Sequence, residues 1–369
     1  MPAKTDLPVL TLRELNRALL ARQMLLTRQR VDTVDAIERL ACLQGQWAPS
    51  PYVALWTRLA GFKRDDLTAP IDKGQVIKAT LMRATLHLVS AKEYAAYALA
   101  TLDGRFAAWR PPGGPDLAAL KDIHDKVFKF AARPRTREEI REFIARDAPK
   151  DERLRNWYLF AAVTASGIIW EKSGARWEHR QLARFLAPPA RLRKAPKPDA
   201  AFDLVARRYL AAFGPSRVGD LANWTGCRVP PLREALGRIK DIRRFRDERG
   251  RELVDLAKAP RPPADAVAPA RFLARFDAAI LGHDAAERTR ILPAEYKKQV
   301  IFAAEVWTTF LVDGFVAGRW KIAGTPKQAV LELLPFKRLA KSDKAALVDE
   351  GERLVRFYYP ESKTHGVKA

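Results

Sequence analysis

The chain has 369 residues, 48% of them hydrophobic, so it is long and apolar enough to bury a substantial core. Its 66 lysines and arginines outnumber 43 acidic residues, and the formal net charge of +23 predicts nucleic acid as a partner ahead of an anionic membrane. Inflation of arginine by a GC-rich genome is the alternative explanation. The apolar runs are too short for a membrane span, the first residues lack a secretory signal, and two cysteines cannot form a disulfide framework. We therefore expect a cytoplasmic protein with no membrane partner.

Helices dominate the predicted elements. Capping boxes, in which a hydroxyl and a carboxyl satisfy the free amides of a helix start, fit three places: Thr11 with Glu14, Ser90 with Glu93, and Thr136 with Glu139. The first unit, residues 1–110, has predicted helices at Thr11–Arg22 and Thr33–Leu43. An aromatic-rich segment from Trp47 to Phe62 and a strand-like run from Ala79 to Val89 complete it.

The next two units repeat one order of elements, three helices followed by a strand pair. In residues 111–190 the helices are predicted at 117–132, 136–147 and 151–166, and the strands at Gly167–Glu171 and Ala175–His179. After a proline-rich joint, residues 199–260 repeat this order with helices at 202–213, 216–224 and 229–239 and strands at 242–246 and 251–256. This order predicts winged helix-turn-helix units, whose third helix and wing contact a DNA duplex.

The strand pair of the third unit is rich in arginine. We predict that these arginines contact DNA phosphates: Arg243, Arg244, Arg246, Arg249 and Arg251. Residues 266–369 differ in composition, and Asp313-Gly314 between two apolar strands is a strong hairpin signal. We therefore predict a small β-rich C-terminal domain with a frayed end from Ser362 to Ala369. The fold class is mainly α with β wings (α+β), built from tandem winged helix-turn-helix units and this domain.

Candidate chemistry is concentrated in one loop. The histidines are too dispersed for a metal site, and no phosphate-binding glycine loop is present, so we expect neither a metal nor another cofactor. Gln44 and Gln46 stand two residues apart where a predicted helix meets a glycine and two prolines, so their amides can converge on one pocket. Their alternative role is to cap the helix and bond the nearby backbone. Cys42, on the apolar face of that helix, is predicted to be core.

Five segments of the chain carry a resemblance to a known family: Cys42–Leu59, Leu81–Val89, Phe213–Gly226, Phe276–Gly282 and Leu311–Trp320. Together they resemble the AlkZ/YcaQ family of winged-helix DNA glycosylases. The resemblance covers nearly the whole chain. It implies tandem winged helices around a basic channel, removal of alkylated purines from double-stranded DNA, and, in some members, unhooking of interstrand cross-links at guanine N7.

The family signature is a glutamine, a hydrophobic residue, and then glutamine or aspartate, which implies that Gln44 and Gln46 are catalytic. Gly45 departs from this pattern and would relax the loop. An N7-alkylated purine is already cationic and leaves without a general acid, so amide oxygens suffice to orient water and stabilise the sugar cation. No lysine neighbours the pair in sequence, and this predicts a monofunctional enzyme.

Arg83, Thr85 and His87 alternate along the predicted strand and would share one face. We predict that they contact phosphate or the lesion; the alternative is that Thr85 and His87 support the glutamine loop through buried hydrogen bonds. We expect a monomer associated with the nucleoid. The competing hypothesis is a winged-helix DNA-binding protein without catalysis, a regulator or an architectural factor.

Overall fold

The computed structural model describes residues 7–108, 110–178 and 183–369, in which helices alternate with short sheets. None of the helices in these ranges is both long and apolar enough to cross a membrane. The elements of the N-terminal part are β1 (Val9–Leu10), α1 (Leu12–Arg22), α2 (Thr33–Arg39), β2 (Leu43–Gln44), α3 (Ser50–Trp56), α4 (Asp65–Asp72), β3 (Val76–Thr80), β4 (Leu86–Ser90), α5 (Tyr94–Ala100) and α6 (Leu102–Ala107). An antiparallel sheet in the order β2-β4-β3 lies at the centre of this part.

The second predicted helix ends earlier than expected. Ala41 and Cys42 take φ angles of 55° and 78°, in the left-handed region that a right-handed helix cannot pass through. The chain therefore turns after α2 and enters β2, so Gln44 lies in a strand instead of at a helix end. Cys42 is 3% exposed and belongs to the core, as predicted.

The run from Ala79 to Val89 is not one strand. A 3₁₀ turn at Met82–Ala84 separates β3 from β4, and within it Arg83 has a φ of 52°. The predicted alternation of Arg83, Thr85 and His87 along a strand is therefore wrong, because only His87 lies in β4. A tight turn of this kind cannot be predicted from the pattern of apolar residues.

The second part contains the three expected helices. Its elements are α7 (Lys121–Phe130), β5 (Arg135–Thr136), α8 (Arg137–Ile144), α9 (Glu152–Ala165), β6 (Ile169–Trp170) and β7 (Arg184–Leu186). The predicted second strand, Ala175–His179, is wrong in its described part, because a 3₁₀ turn occupies Lys172–Ala175 and residues 176–178 form no strand. In the described residues, the next strand is β7, which pairs with β6; His179 lies outside them. These helices enclose an apolar cluster of their own, from Phe106 to Phe185.

The third part follows the prediction closely, with α10 (Pro198–Phe213), α11 (Val218–Thr225), α12 (Val229–Arg238), β8 (Ile242–Asp247) and β9 (Glu252–Leu256). One strand comes from far away in the sequence. β1 pairs in parallel with β8, with Val9 opposite Arg246, and so completes a sheet in the order β1-β8-β9.

The C-terminal part is built on a five-stranded sheet in the order β10-β13-β14-β15-β16. Its elements are β10 (Arg271–Leu273), α13 (Ala278–Leu281), α14 (Lys297–Val300), β11 (Ile301–Phe302), β12 (Glu305–Val306), β13 (Thr309–Val312), β14 (Phe315–Gly324), β15 (Gln328–Pro335), α15 (Lys341–Tyr358) and β16 (Thr364–Lys368). Asp313 and Gly314 form the predicted hairpin turn, with φ angles of 46° and 80°. The frayed end was a wrong expectation, because β16 pairs with β15.

The two ends of the chain share a core. Val53 and Leu55 of α3 belong to the same apolar cluster as Phe272 of β10 and Phe310 of β13. Beside it, the guanidinium of Arg58 and the carboxylate of Asp277 form a buried ion pair. The helix that follows the glutamine loop is therefore fixed by the C-terminal sheet.

Candidate functional site: the glutamine loop and its cavities

Both glutamines lie against the beginning of β4. Gln44 is the register partner of His87 in the β2-β4 pair, and the N–H of Gly45 donates to the carbonyl oxygen of Leu86 at 2.7 Å. Gln44 is 9% exposed, whereas the side chain of Gln46 is exposed. The site thus offers one buried amide and one accessible amide on the same edge.

Hydrogen-bond donors orient both amide groups. The Oε1 atom of Gln44 accepts from Nη2 of Arg83 at 3.5 Å, and Oε1 of Gln46 accepts from the backbone N–H of Leu86 at 3.2 Å. Because each partner can only donate, the carbonyl oxygen of each side chain, and not its NH₂ group, must face it. Each oxygen keeps a second lone pair for a water proton or an adjacent cation.

Arg83 joins the loop to the third part of the chain. Its Nη1 donates to the carbonyl oxygen of Trp224, in α11, at 2.6 Å. Burial, and to a smaller extent the nearby positive charge of Arg288, lower the pKa of the guanidinium to about 10. The side chain is still a cation at neutral pH, and it polarises the Gln44 carbonyl.

Thr85 and His87 are occupied by local hydrogen bonds. The hydroxyl of Thr85 donates to the carbonyl oxygen of Met82 at 3.0 Å. The Nδ1 atom of His87 lies 3.0 Å from the carbonyl oxygen of Thr85, so it carries the ring proton. Burial lowers the pKa of His87 to about 3, and the charge of Arg83 acts in the same direction, which leaves the ring neutral. Both hydrogen bonds lie within residues 82–87; support of the glutamine loop and contact with DNA both stay predictions for these two residues.

Lys78 is a neighbour of the loop that sequence spacing did not suggest. It lies on β3 opposite Leu88, and its Cε atom is 3.6 Å from the position of a Cβ built on Gly45. The ammonium group donates to the carbonyl oxygen of Gly174 at 2.8 Å and lies 4.3 Å from the ring centroid of Trp170. Burial lowers its pKa to about 8.

Gln46 stands between two cavities. One, of about 380 Å³, lies between the β3-β4 turn and helices α8 and α9. The other, of about 780 Å³, is lined by Trp47, Trp177 and Tyr359 and reaches the segment after α15. A group bound in either cavity would lie beside the Gln46 amide.

Arg137 and Arg141 line the smaller cavity and are exposed. Sequence reasoning missed them, although a signal was present: they stand four residues apart on α8, on the face that carries Ile140 and Ile144, and so point toward the same side. Guanidinium groups at this rim suit phosphate.

The arginines of the β8-β9 pair lie on another sheet and differ in their surroundings. Arg251 is bound between the carboxylates of Asp247 and Glu287, and Arg244 forms an ion pair with Glu252. The guanidinium of Arg243 lies 5.0 Å from the ring centroid of Phe245. The side chain of Arg249 is exposed and that of Arg246 is half-buried. The sheet β2-β4-β3 therefore brings together Gln44, Gln46, Arg83, Thr85 and His87, and the β8-β9 arginines form a separate group.

Across the described ranges, His, Cys, Asp and Glu side chains do not gather in threes at a distance suited to one metal ion.

Comparison with known proteins agrees with the resemblance carried by these segments. Residues 37–357 match the model of the family described as DNA glycosylase AlkZ-like. A curated relative from Streptomyces sahachiroi, an interstrand DNA cross-link repair glycosylase, is 27% identical over 323 residues, which are 82% of this chain and 85% of the relative. The solved structure of the Streptomyces sahachiroi DNA glycosylase AlkZ superposes with a TM-score of 0.77 at 21% identity, covering 97% of this chain and 100% of that one. The chain belongs to the AlkZ-like DNA glycosylase family.

Proposed function

We propose that the protein is a monofunctional DNA glycosylase that hydrolyses the N-glycosidic bond of cationic N7-alkylated purines, including those of interstrand cross-links. The observation that carries this proposal is the orientation of the Gln44 and Gln46 carbonyl oxygens by N–H donors, the guanidinium of Arg83 in the β3-β4 turn and the backbone N–H of Leu86 at the start of β4. The family match and the relative named as a cross-link repair glycosylase support it.

The two amides differ in the role that suits them. Gln46 is accessible, and its carbonyl oxygen can accept a hydrogen bond from the attacking water, which orients the water lone pair toward the anomeric carbon. Once the new C–O bond has formed, the surplus proton of the water passes to solvent. Gln44 is buried, and its oxygen presents a partial negative charge to the sugar as that carbon becomes cationic. As the bond breaks, its electron pair goes to the purine nitrogen and neutralises the positive charge of the alkylated base. An uncharged purine has no positive charge to accept this electron pair, so its N-glycosidic bond should stay intact.

A monofunctional reaction is consistent with the surroundings of Lys78. A lyase needs a free amine that attacks the sugar. Lys78 is 5% exposed, and its ammonium group already donates to the carbonyl oxygen of Gly174, so it is held away from a substrate.

The repeated order of three helices and a strand pair supports winged-helix units as the DNA-binding elements. We assign phosphate contact to Arg243, Arg246 and Arg249 of the third unit and to Arg137 and Arg141 near the glutamines. The protein would act as a monomer on double-stranded DNA carrying alkylated purines, associated with the nucleoid.

The proposal is tested with a duplex that carries one N7-methylguanine and a second duplex with a nitrogen-mustard cross-link between guanine N7 atoms. After incubation with the protein, heating in alkali cleaves abasic sites, and denaturing electrophoresis separates the products. Strand cleavage of the first duplex and unhooking of the second are expected, with an unmodified duplex left intact. Tight binding without cleavage of either substrate would instead favour the non-catalytic DNA-binding protein.

A further inference from the structure

The cavity of about 380 Å³ beside Gln46 has an apolar interior and a polar rim. Its interior is lined by aliphatic and aromatic side chains from α8, α9 and β7, among them Ile140, Ile144, Leu159, Val163 and Phe185. This combination of an apolar floor with a few polar groups is typical of sites that bind small organic groups, and so is the volume.

The rim connects the cavity to the proposed reaction centre. Gln46 and Thr85 stand on one side, and Arg137, Arg141 and Asn156 stand on the other. The Thr85 hydroxyl already donates to the Met82 carbonyl. The rim is therefore formed by the reactive amide on one side and by two cations suited to the phosphates of the damaged strand on the other.

We propose that this cavity accommodates the apolar or aromatic body of a bulky substituent on purine N7, and so favours bulky adducts over methylated bases. The inference rests on the proposed function, because it assigns a substrate subsite to the same centre. A methyl group would leave the cavity empty, whereas an aromatic substituent would cover its floor.

The lining fits a substituent better than an extruded purine. Enzymes that extrude a base read its edge with hydrogen-bonding groups. In this cavity the hydroxyl of Thr164 donates to the Phe160 carbonyl at 2.9 Å, just as that of Thr85 is engaged with Met82. The amides of Gln46 and Asn156 and the guanidinium groups of Arg137 and Arg141 belong to the rim, while the floor is apolar.

The test compares two duplexes, one with N7-methylguanine and one with N7-benzylguanine, and measures kcat/KM for each. In Val163→Trp an indole occupies the cavity, because Val163 lies on α9 at its wall. The ratio of benzyl to methyl kcat/KM should fall by about tenfold or more relative to the wild type. Ala145→Trp adds the same indole at an exposed position at the end of α8, outside the lining, and should leave the ratio unchanged.

A second variant, Val163→Ala, enlarges the same cavity and keeps the test valid if the tryptophan variant does not fold. It should raise the relative kcat/KM for a longer N7-naphthylmethyl adduct. An equal loss on both substrates in a folded Val163→Trp protein would overturn the proposal and assign the cavity to the base itself. An unchanged ratio in both variants would also overturn it. Failure of the wild type on both N7-methylguanine and N7-benzylguanine would instead refute the proposed function, so the two failures are distinguishable.

Discussion

Leu88 occupies the space that a side chain at position 45 would need. Its Cδ1 atom lies 2.6 Å from the position of a Cβ built on Gly45, and Leu88 is 1% exposed. The resemblance implies a hydrophobic residue between the two signature positions. In this chain, β4 supplies that hydrophobic group from the opposite strand, so the glycine does not leave the loop unpacked.

Gly45→Val should therefore destabilise the protein by about 1–3 kcal/mol, because two branched side chains would compete for one space. Leu88→Ala alone should cost about 2–5 kcal/mol by opening a cavity. Urea unfolding of both variants and of the double variant provides the measurement. The loss of unfolding free energy in the double variant should be smaller than the sum of the two single losses, by about 1 kcal/mol. Additive losses would show that the two positions do not share this space.

Lys78 should not act as a lyase nucleophile. Its pKa of about 8 gives a neutral fraction at that pH, but the amine is buried and bonded to Gly174. Incubation with a duplex containing an abasic site and sodium borohydride at pH 8 should yield no covalent complex. A trapped complex that disappears in Lys78→Met would contradict the monofunctional assignment, and melting curves would show whether that variant is folded.

Arg137 and Arg141 should contribute to DNA affinity through phosphate. Each phosphate contact steepens the dependence of log K on log salt by about 0.9. In the Arg137→Ala/Arg141→Ala double variant the magnitude of that slope should therefore be smaller by about 1.8. Fluorescence anisotropy between low and moderate salt measures it. Arg356→Ala removes an exposed cation from α15 and serves as the charge control. An unchanged slope in the double variant would remove these arginines from the interface.

Folding stability should decrease in acid because of the buried histidines. The pKa of His87 is lowered to about 3 and that of His124 to about 4, chiefly by burial. Between these values and 6.5, the unfolded chain binds protons that the folded chain does not. The free energy of unfolding should therefore decrease as the pH is lowered through this range, by about 1.4 kcal/mol per pH unit for each such histidine. His87→Gln should show a shallower fall in urea titrations from pH 7 to 4, and an identical pH dependence would contradict its neutral burial.

Local signals predicted much of the helical structure. The capping boxes at Thr11 and Thr136 form as expected, and the Asp313-Gly314 hairpin appears at its position. The Ser90 hydroxyl also accepts from the N–H of Glu93, but the Glu93 carboxylate pairs with Arg208 instead of closing a box. The ion pair with Arg208, which is distant in sequence, therefore replaces the local capping interaction of the Glu93 carboxylate.

The missed features depend on contacts that are remote in sequence. β1 is too short to be recognised and exists because it pairs with β8, and β16 exists because it pairs with β15. The spacing of the glutamines marks the loop as a candidate site, but by itself it favours a capping role, and the catalytic prediction comes from the family signature. The position of Lys78 beside the loop depends on strand pairing, and the β3-β4 turn depends on left-handed φ angles. Neither can be predicted from the periodicity of apolar residues.

The most direct test of the central claim is the single-turnover rate on a duplex containing N7-methylguanine for Gln44→Ala and Gln46→Ala. Gln299→Ala, at an exposed position in α14, is the matched control. Each site variant should lose about 100-fold or more in rate, as expected when one stabilising group is removed from a reaction centre, while duplex affinity and the control rate stay unchanged. Full activity in both site variants would contradict a glutamine-dependent glycosylase.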